Sequence, residues 1–453
     1  MTALDLAIVG GTIVDPVLGR FEGTVGIADG RIALLAEPGR TVDARRTLDA
    51  AGRLVLPGII DPHVHFGVKA PFEGEVESET RAALLGGVTT AGIYLRQAAS
   101  YLPDLPHIVE TVETRSSIDL FAHATIVTAQ HVEEIGRYAR EWGITSFKAY
   151  LMGDFIENIP DDRLVAAMRE VAALGGSGVM AIHAENPELV QTATDAADRS
   201  GNSLRDWHLA RPDLAEAEAV NRVAFFSRAT GARVYIVHLT SADGLESVRA
   251  ARAAGTDIVA ETTTMALTLD EENPVQVLNK RYPPLRAPQD REALWRGLID
   301  GEIDTVGTDN VTSTRAENRA DGSIWDAGGG FSALSTHFPA LFTESLDRGV
   351  PVEQWLRHLT ADVAKTYGLY PRKGSLQLSA DADVLVVDPV TRRAPDMAAS
   401  PARGDWSPYD DRELTGWPVA VVRAGELVVD DGRLVSETPA GGHYLRRTPP
   451  SSE

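Results

Sequence analysis

The sequence predicts an α/β protein, a (β/α)8 TIM barrel with a smaller β-rich satellite built from both ends of the chain. Three observations carry this. From about residue 56 to 370, apolar strands alternate with Ala-rich helical stretches, the texture of parallel β/α units. Eight candidate strands can be counted there. The flanks, 1–55 and 371–440, read as short strands and tight turns. An open doubly wound sheet is the alternative, but no Gly-x-Gly-x-x-Gly turn follows the first strand of the alternating region.

In chain order, Leu6-Ala7-Ile8-Val9 runs into Gly10-Gly11 and then Thr12-Ile13-Val14-Asp15-Pro16. Val25-Gly26-Ile27-Ala28 leads through the turn Asp29-Gly30-Arg31 to Ile32-Ala33-Leu34-Leu35, the start of an antiparallel sheet. The eight candidate barrel strands centre on Ile59–His65, Thr89–Leu95, Leu120–Val127, Ser146–Leu151, Gly178–Ala184, Val234–Leu239, Asp257–Thr263 and Asp304–Thr308. Helical runs such as Asp161–Leu174 and Leu214–Thr230 lie between them. Beyond 370, Ala382–Pro389 is a strand ending at a proline, and Pro418–Arg433 reads as a hairpin with its continuation. These strands should complete one satellite sheet, with the barrel inserted in it. Residues 441–453, with Gly441-Gly442 and Pro449-Pro450, read as a loose tail.

Composition narrows the function. The net charge is −22, from 43 Lys+Arg against 65 Asp+Glu, so neither nucleic acid nor an anionic membrane is an expected partner. The absence of cysteine excludes disulfides, thiolate ligands and cysteine nucleophiles, so any metal must use nitrogen and oxygen donors. No signal-peptide pattern opens the sequence and no apolar run is long enough for a membrane span; the cytoplasm is the expected location.

Catalytic groups of such a barrel sit at the C-terminal strand ends. The first candidate strand ends in His63 and His65, which share a face because strand side chains alternate. The fourth carries Lys148 inside an apolar run. The fifth ends in His183, the sixth in His238 and the eighth in Asp309. Taken singly, each has an ordinary structural explanation. Six such residues at one barrel mouth point to a metal site. A lysine there needs a physical account, since a buried ammonium is costly and is repelled by cations. Carboxylation by carbon dioxide turns its tip into an anion able to bridge two ions. The expected centre is then binuclear, with His63, His65 and Asp309 on one ion, His183 and His238 on the other, and carboxylated Lys148 shared. Two ions lower the pKa of a bridging water to give hydroxide, and Asp309 can pass its proton to a leaving nitrogen. Imidazole and oxygen ligands suit Zn2+, with Mn2+ or Co2+ as substitutes.

Together these residues resemble the cyclic amidohydrolases, namely dihydropyrimidinase/hydantoinase, allantoinase and dihydroorotase. The resemblance runs from Ile8–Asp15 and Pro57–His65 through Gly86–Thr90, Ser146–Lys148, Ile182–Asn186, Val237–Ser241, Pro283–Arg286 and Gly307–Asp309 to Gly368–Ser375 and Ala380–Val384. It implies a barrel with a composite β-sandwich, two metals, a carboxylated lysine and hydrolysis of a ring amide (a hydrolase of non-peptide carbon–nitrogen bonds). A homotetramer is implied likewise. Departures narrow the branch. Dihydroorotases carry an arginine where Gly67 stands, which disfavours that activity. The loop Lys69-Ala70-Pro71-Phe72 resembles the hydantoinase version. Gly153 replaces the tyrosine that in hydantoinases contacts the ring, Tyr282 replaces a serine, and Asn310 a histidine. Trp325–Phe331, with Gly328 and Gly329, takes the place of the loop whose backbone holds the ring, and looks partly allantoinase-like. Phe72, Tyr282, Gly328 and Gly329 are therefore the candidate substrate contacts. The leading expectation is hydrolysis of a hydantoin, dihydropyrimidine or related imide. An allantoinase-like or acyclic amide hydrolase and a non-catalytic scaffold are the alternatives.

Overall fold

The computed structural model describes residues 3–153, 158–319, 321–438 and 441–447. Two nine-stranded sheets organise them. The satellite strands of the first segment are β1 (Leu4–Asp15), β2 (Gly19–Ala28), β3 (Arg31–Ala36), β4 (Ala44–Asp49) and β5 (Leu54–Pro57). The barrel strands are β6 (Ile59–His65), β7 (Val88–Leu95), β8 (Asp119–Thr125), β9 (Ser146–Leu151), β10 (Val179–Ala184), β11 (Val234–Ile236), β12 (Ile258–Thr263), β13 (Thr305–Gly307) and β14 (Asn310–Val311). The late satellite strands are β15 (Val384–Val387), β16 (Pro418–Arg423), β17 (Glu426–Asp430) and β18 (Arg433–Leu434).

The barrel sheet is parallel, in the order β13-β12-β11-β10-β9-β8-β7-β6-β14. β13 and β14 stand at opposite ends of that order yet are joined by Thr308 and Asp309 alone, so the sheet curls until its ends meet. The Asp309 amide donates to the His63 carbonyl at 2.9 Å across the seam. Helices such as Phe72–Leu85, Ala129–Trp142 and Asp213–Thr230 cover the outside. Because both faces are covered, β6 to β10 are buried along their whole length and read as near-continuous apolar runs. Alternation sorts each strand. On β10, Met180 and Ile182 pack outward against the helices, while Val179 and Ala181 face the barrel interior. On β9, Phe147 and Ala149 go outward, which leaves Lys148 and Tyr150 inward.

The second sheet runs β18-β17-β16-β15-β5-β1-β2-β3, with β4 paired to β1. Antiparallel pairing of β15 with β5 joins the two chain segments, with Leu385 opposite Leu56. Here too period two divides the residues: Leu54, Leu56, Leu385 and Val387 join the barrel core, and Val55, Val384 and Val386 join the sheet's own core. The expected satellite built from both ends is borne out. Its joint to the barrel is Gly58, whose amide donates to the Asp383 carbonyl at 2.8 Å and whose Cβ, if present, would lie 2.2 Å from Thr89 Oγ1.

The segment expected to be loose behaves differently over 441–447. Leu120 N donates to His443 O at 2.9 Å, and Leu445 N donates back to Leu120 O at 2.7 Å. Tyr444, Leu445 and Arg447 are buried, and Arg447 Nη1 donates to Ser146 Oγ at 2.7 Å. Gly442, where a Cβ would lie 2.0 Å from the Ile118 carbonyl oxygen, gives this strap its approach to the barrel, a feature that reads as flexibility in sequence. Residues 448–453 lie outside the described ones. Among the described residues no helix is long and apolar enough to cross a membrane.

Candidate metal centre

Strand ends deliver the site. β6 presents His63 and His65 to the barrel interior, and their Nε2 atoms are 3.2 Å apart. Asp309, just beyond β13, turns Oδ1 toward both, at 3.2 Å from His63 Nε2 and 3.3 Å from His65 Nε2. These three donors lie within 4.8 Å of one another, a grouping that can hold one ion. The His183 and His238 rings meet at 4.5 Å between centroids and 71°, and the His238 ring is 5.5 Å from that of His63. Lys148 starts one strand step deeper than His183, since Ala181 is its neighbour in register and Tyr150 is that of His183. Its long side chain spans that step. All six side chains line one cavity of about 370 Å³.

Two backbone features place these groups. His238 and Asp309 adopt left-handed φ values of 42° and 57°. For residues other than glycine this costs roughly 1–3 kcal/mol each and persists where surroundings hold it. The His238 amide is held by Glu261 Oε1 at 2.9 Å and the Asp309 amide by the His63 carbonyl. This is why β11 ends at Ile236 and β13 at Gly307, short of the strands expected through Leu239 and Thr308.

The donor chemistry fits a metal. Among the described residues, Lys148 Nζ and His238 Nδ1 are buried without a hydrogen-bond partner. Burial pushes the Lys148 ammonium down to about 7, against the opposing pull of Asp309 and Glu261. Burial alone would raise the Asp309 carboxyl, but His63, His65 and Arg281 outweigh it and hold it well below the usual carboxylate range. Burial also drives His63, His183 and His238 below the ordinary histidine value, which favours the neutral rings that ligation needs.

Over residues 54–428 the sequence matches the model of the amidohydrolase family. The chain belongs to that family. A D-hydantoinase of Geobacillus stearothermophilus is 31% identical to this amidohydrolase over 452 residues, covering 94% of this chain and 93% of that protein. An allantoinase of Rubrobacter xylanophilus is 33% identical over 461 residues, 97% of each chain. A solved D-hydantoinase structure matches with a TM-score of 0.90 at 28% identity, over 98% of this chain and 99% of the other. A dihydropyrimidinase from Brevibacillus agri matches with 0.88 at 25%, over 98% of both.

Around the six residues, this amidohydrolase carries a ring of carboxylates that sequence reasoning did not single out. Glu261, within β12, accepts from His63 Nδ1 at 2.8 Å. That bond puts the proton on Nδ1 and leaves Nε2 free for an ion. Glu185 accepts from His183 Nε2 at 2.7 Å, leaving Nδ1, and is itself clamped by Arg211 Nη2 at 2.7 Å. Glu185 follows His183 by two residues, a spacing visible in sequence; Glu261 gives no such local signal. Asp61 ties β6 to Thr308 through a 2.6 Å bond from Thr308 Oγ1. Burial raises Asp61 and Glu261 to about 7.

Of the candidate substrate contacts, Tyr282, Gly328 and Gly329 line the cavity and Phe72 is not among its lining residues. Phe72 opens the helix Phe72–Leu85 and packs, half-buried, against the barrel core; Val68 and Lys69 of the same loop reach the cavity instead. Tyr282 is wedged edge-on against Trp207, with ring centroids 5.2 Å apart. A Cβ on Gly329 would sit 2.6 Å from the Tyr282 ring, so ring and loop are in contact. Gly67 has φ +81°, a conformation that strains any larger residue. A Cβ on Gly153 would meet Pro187 Cβ at 3.6 Å, an ordinary contact, and residues 154–157 that follow lie outside the described ones.

Proposed function

We propose that the chain hydrolyses a ring carbon–nitrogen bond of a cyclic amide, imide or ureide of the hydantoin or dihydropyrimidine kind. The observation that carries this is the convergence of His63, His65, Lys148, His183, His238 and Asp309 on one cavity. Relatives named hydantoinase and allantoinase support it along nearly the whole chain. In this reading His63, His65 and Asp309 hold one divalent ion, His183 and His238 a second, and carboxylated Lys148 serves both, with Zn2+ preferred and Mn2+ or Co2+ accepted. When bound, such ions supply Lewis acidity toward the ring carbonyl and acidify water.

The chain's own residues do the rest. Asp309 takes the proton of the attacking water and hands it to the leaving ring nitrogen. Tyr282 and the backbone at Gly328 and Gly329 orient the ring. Glu261 and Glu185 fix the imidazole tautomers. The second reading, an allantoinase-like or acyclic ureide hydrolase, is favoured by the 33% identity to an allantoinase. A homotetramer in the cytoplasm completes the proposal, to be checked by light scattering and cell fractionation.

The test is hydrolysis by metal-replete protein of hydantoin, dihydrouracil, allantoin, a phthalimide and an acyclic amide. Ring opening of the first two is expected, together with at least a hundredfold loss, to order of magnitude, in Lys148→Ala. Activity confined to acyclic substrates would move the assignment to the second reading. Inertness, with full metal content retained in Lys148→Ala, would refute both.

A further inference from the structure

One cation beside the site has no task in the reading above. Arg281 is 1% exposed, and none of Nε, Nη1 and Nη2 has a hydrogen-bond partner among the described residues. Burying a guanidinium with its donors unpaired is costly, so a position that keeps one calls for a compensating group. The anion it faces is Asp309, with Nη2 3.9 Å from Oδ2. The two oxygens of Asp309 are thereby divided. Oδ1 lies against the His63 and His65 nitrogens, and Oδ2 is turned to Arg281. At 3.9 Å the contact is too long for a direct hydrogen bond and suits a charge contact bridged by a water or a ligand oxygen.

The backbone of Arg281 is anchored, since its carbonyl accepts from Trp207 Nε1 at 2.9 Å. Its guanidinium lies over the Phe331 ring at 5.5 Å. Tyr282, the next residue, lines the cavity. One short loop thus walls the cavity with one side chain and reaches Asp309 with its neighbour.

We propose that Arg281 is a positioning residue for Asp309. It holds Oδ2, keeps Oδ1 turned to the histidine pair, and fixes the carboxylate for proton transfer. A planar fork does this better than an ammonium, which presents no fixed face. The proposal rests on the role given to Asp309 above.

The experiment compares Arg281→Lys, Arg281→Met and Arg281→Ala in the full-length, metal-loaded protein. Folding is checked by circular dichroism and melting temperature. Arg281→Met should lose roughly a hundredfold in kcat, with KM little changed, and Arg281→Lys should fall between it and the parent. Guanidinium at low millimolar concentration should restore part of the kcat of Arg281→Ala, and potassium chloride should not. In cobalt-loaded protein the visible absorption should shift in Arg281→Met and Arg281→Ala, and return toward the parent's when guanidinium is added to the latter. Parental kcat in folded Arg281→Met, a loss confined to KM, or an unchanged cobalt spectrum without guanidinium rescue would overturn the proposal. If Arg281→Met and Arg281→Ala do not fold, a cobalt spectrum and kcat of Arg281→Lys identical to the parent's would overturn it as well. Should the parent open no ring at all, the functional reading fails, and the cobalt spectra still decide the role of Arg281.

Discussion

Glu75 shows how one side chain ties the mouth of the barrel to solution conditions. Its Oε2 accepts from the Gly67 amide at 2.6 Å, and its Oε1 lies 3.3 Å from the Arg403 guanidinium. Burial raises it from 4.5 to about 7, against the lowering effect of Gly67 and Arg403. The folded protein therefore holds this proton more tightly than the unfolded chain. Between about 4.5 and 7 the unfolded state has lost it and the folded state has not, so this group's contribution to stability falls as pH rises through that window. Glu75→Gln removes the titration. Its melting temperature, relative to the parent's, is expected to improve by a few degrees between pH 5 and pH 8, read by calorimetry at both values. A difference that stays flat across that range would dismiss the effect. Lys148 is perturbed for a related reason with opposite charge logic, because burial disfavours its cation.

At the scale of elements, the barrel depends on strands approaching more closely than side chains normally permit. Gly92 on β7 lets the His123 ring of β8 reach the Pro62 carbonyl of β6, at 3.2 Å from Nε2. A Cβ there would lie 2.4 Å from His123 Nε2 and 2.7 Å from that carbonyl oxygen. Gly92→Ala should cost about 1–3 kcal/mol through overpacking, seen as a lower urea midpoint, and should loosen metal retention as β6 shifts. An unaltered midpoint would mean that the strands yield freely. The elements themselves are largely legible in sequence. β6 to β10 announce themselves as apolar runs because both faces are covered, and their inward residues follow from period two. The ends of β11 and β13 are not legible. The turns at His238 and Asp309 depend on hydrogen bonds to Glu261 and His63, which come from distant strands. The metal-site candidates are legible because histidine, lysine and aspartate are rare at the ends of apolar strands. Glu261 and Arg281 are harder to see, since each acquires its meaning from a partner that only folding brings near. Phe72 reads as a substrate contact because its loop does face the cavity, but the helix it opens turns its ring to the core.

Across the whole molecule, the barrel and the satellite sheet are pinned by buried charge. Lys373 donates to Asp119 on β8 and to Asp383 beside β15, each at 2.6 Å, and Arg423 on β16 reaches Asp119 at 3.1 Å. Removing one member strands the others, so Lys373→Met is expected to destabilise the protein by about 3–5 kcal/mol. Chemical denaturation checks this, and a loss near zero would assign the fastening to the apolar seam of Leu56 and Leu385 alone. The strap at 441–447 adds a second fastening at β8, through backbone bonds between Leu120 and both His443 and Leu445. The composite sheet also sets a timetable. β5 pairs with β15, and more than three hundred residues separate them in the chain. At a synthesis rate of about 5–20 residues per second, the ribosome takes roughly 15 to 65 seconds to make that stretch. Throughout that interval β5 presents an open edge, the kind of surface on which nascent chains stick to one another. Slowing translation between residues 57 and 384 would lengthen the time for which that edge stands open.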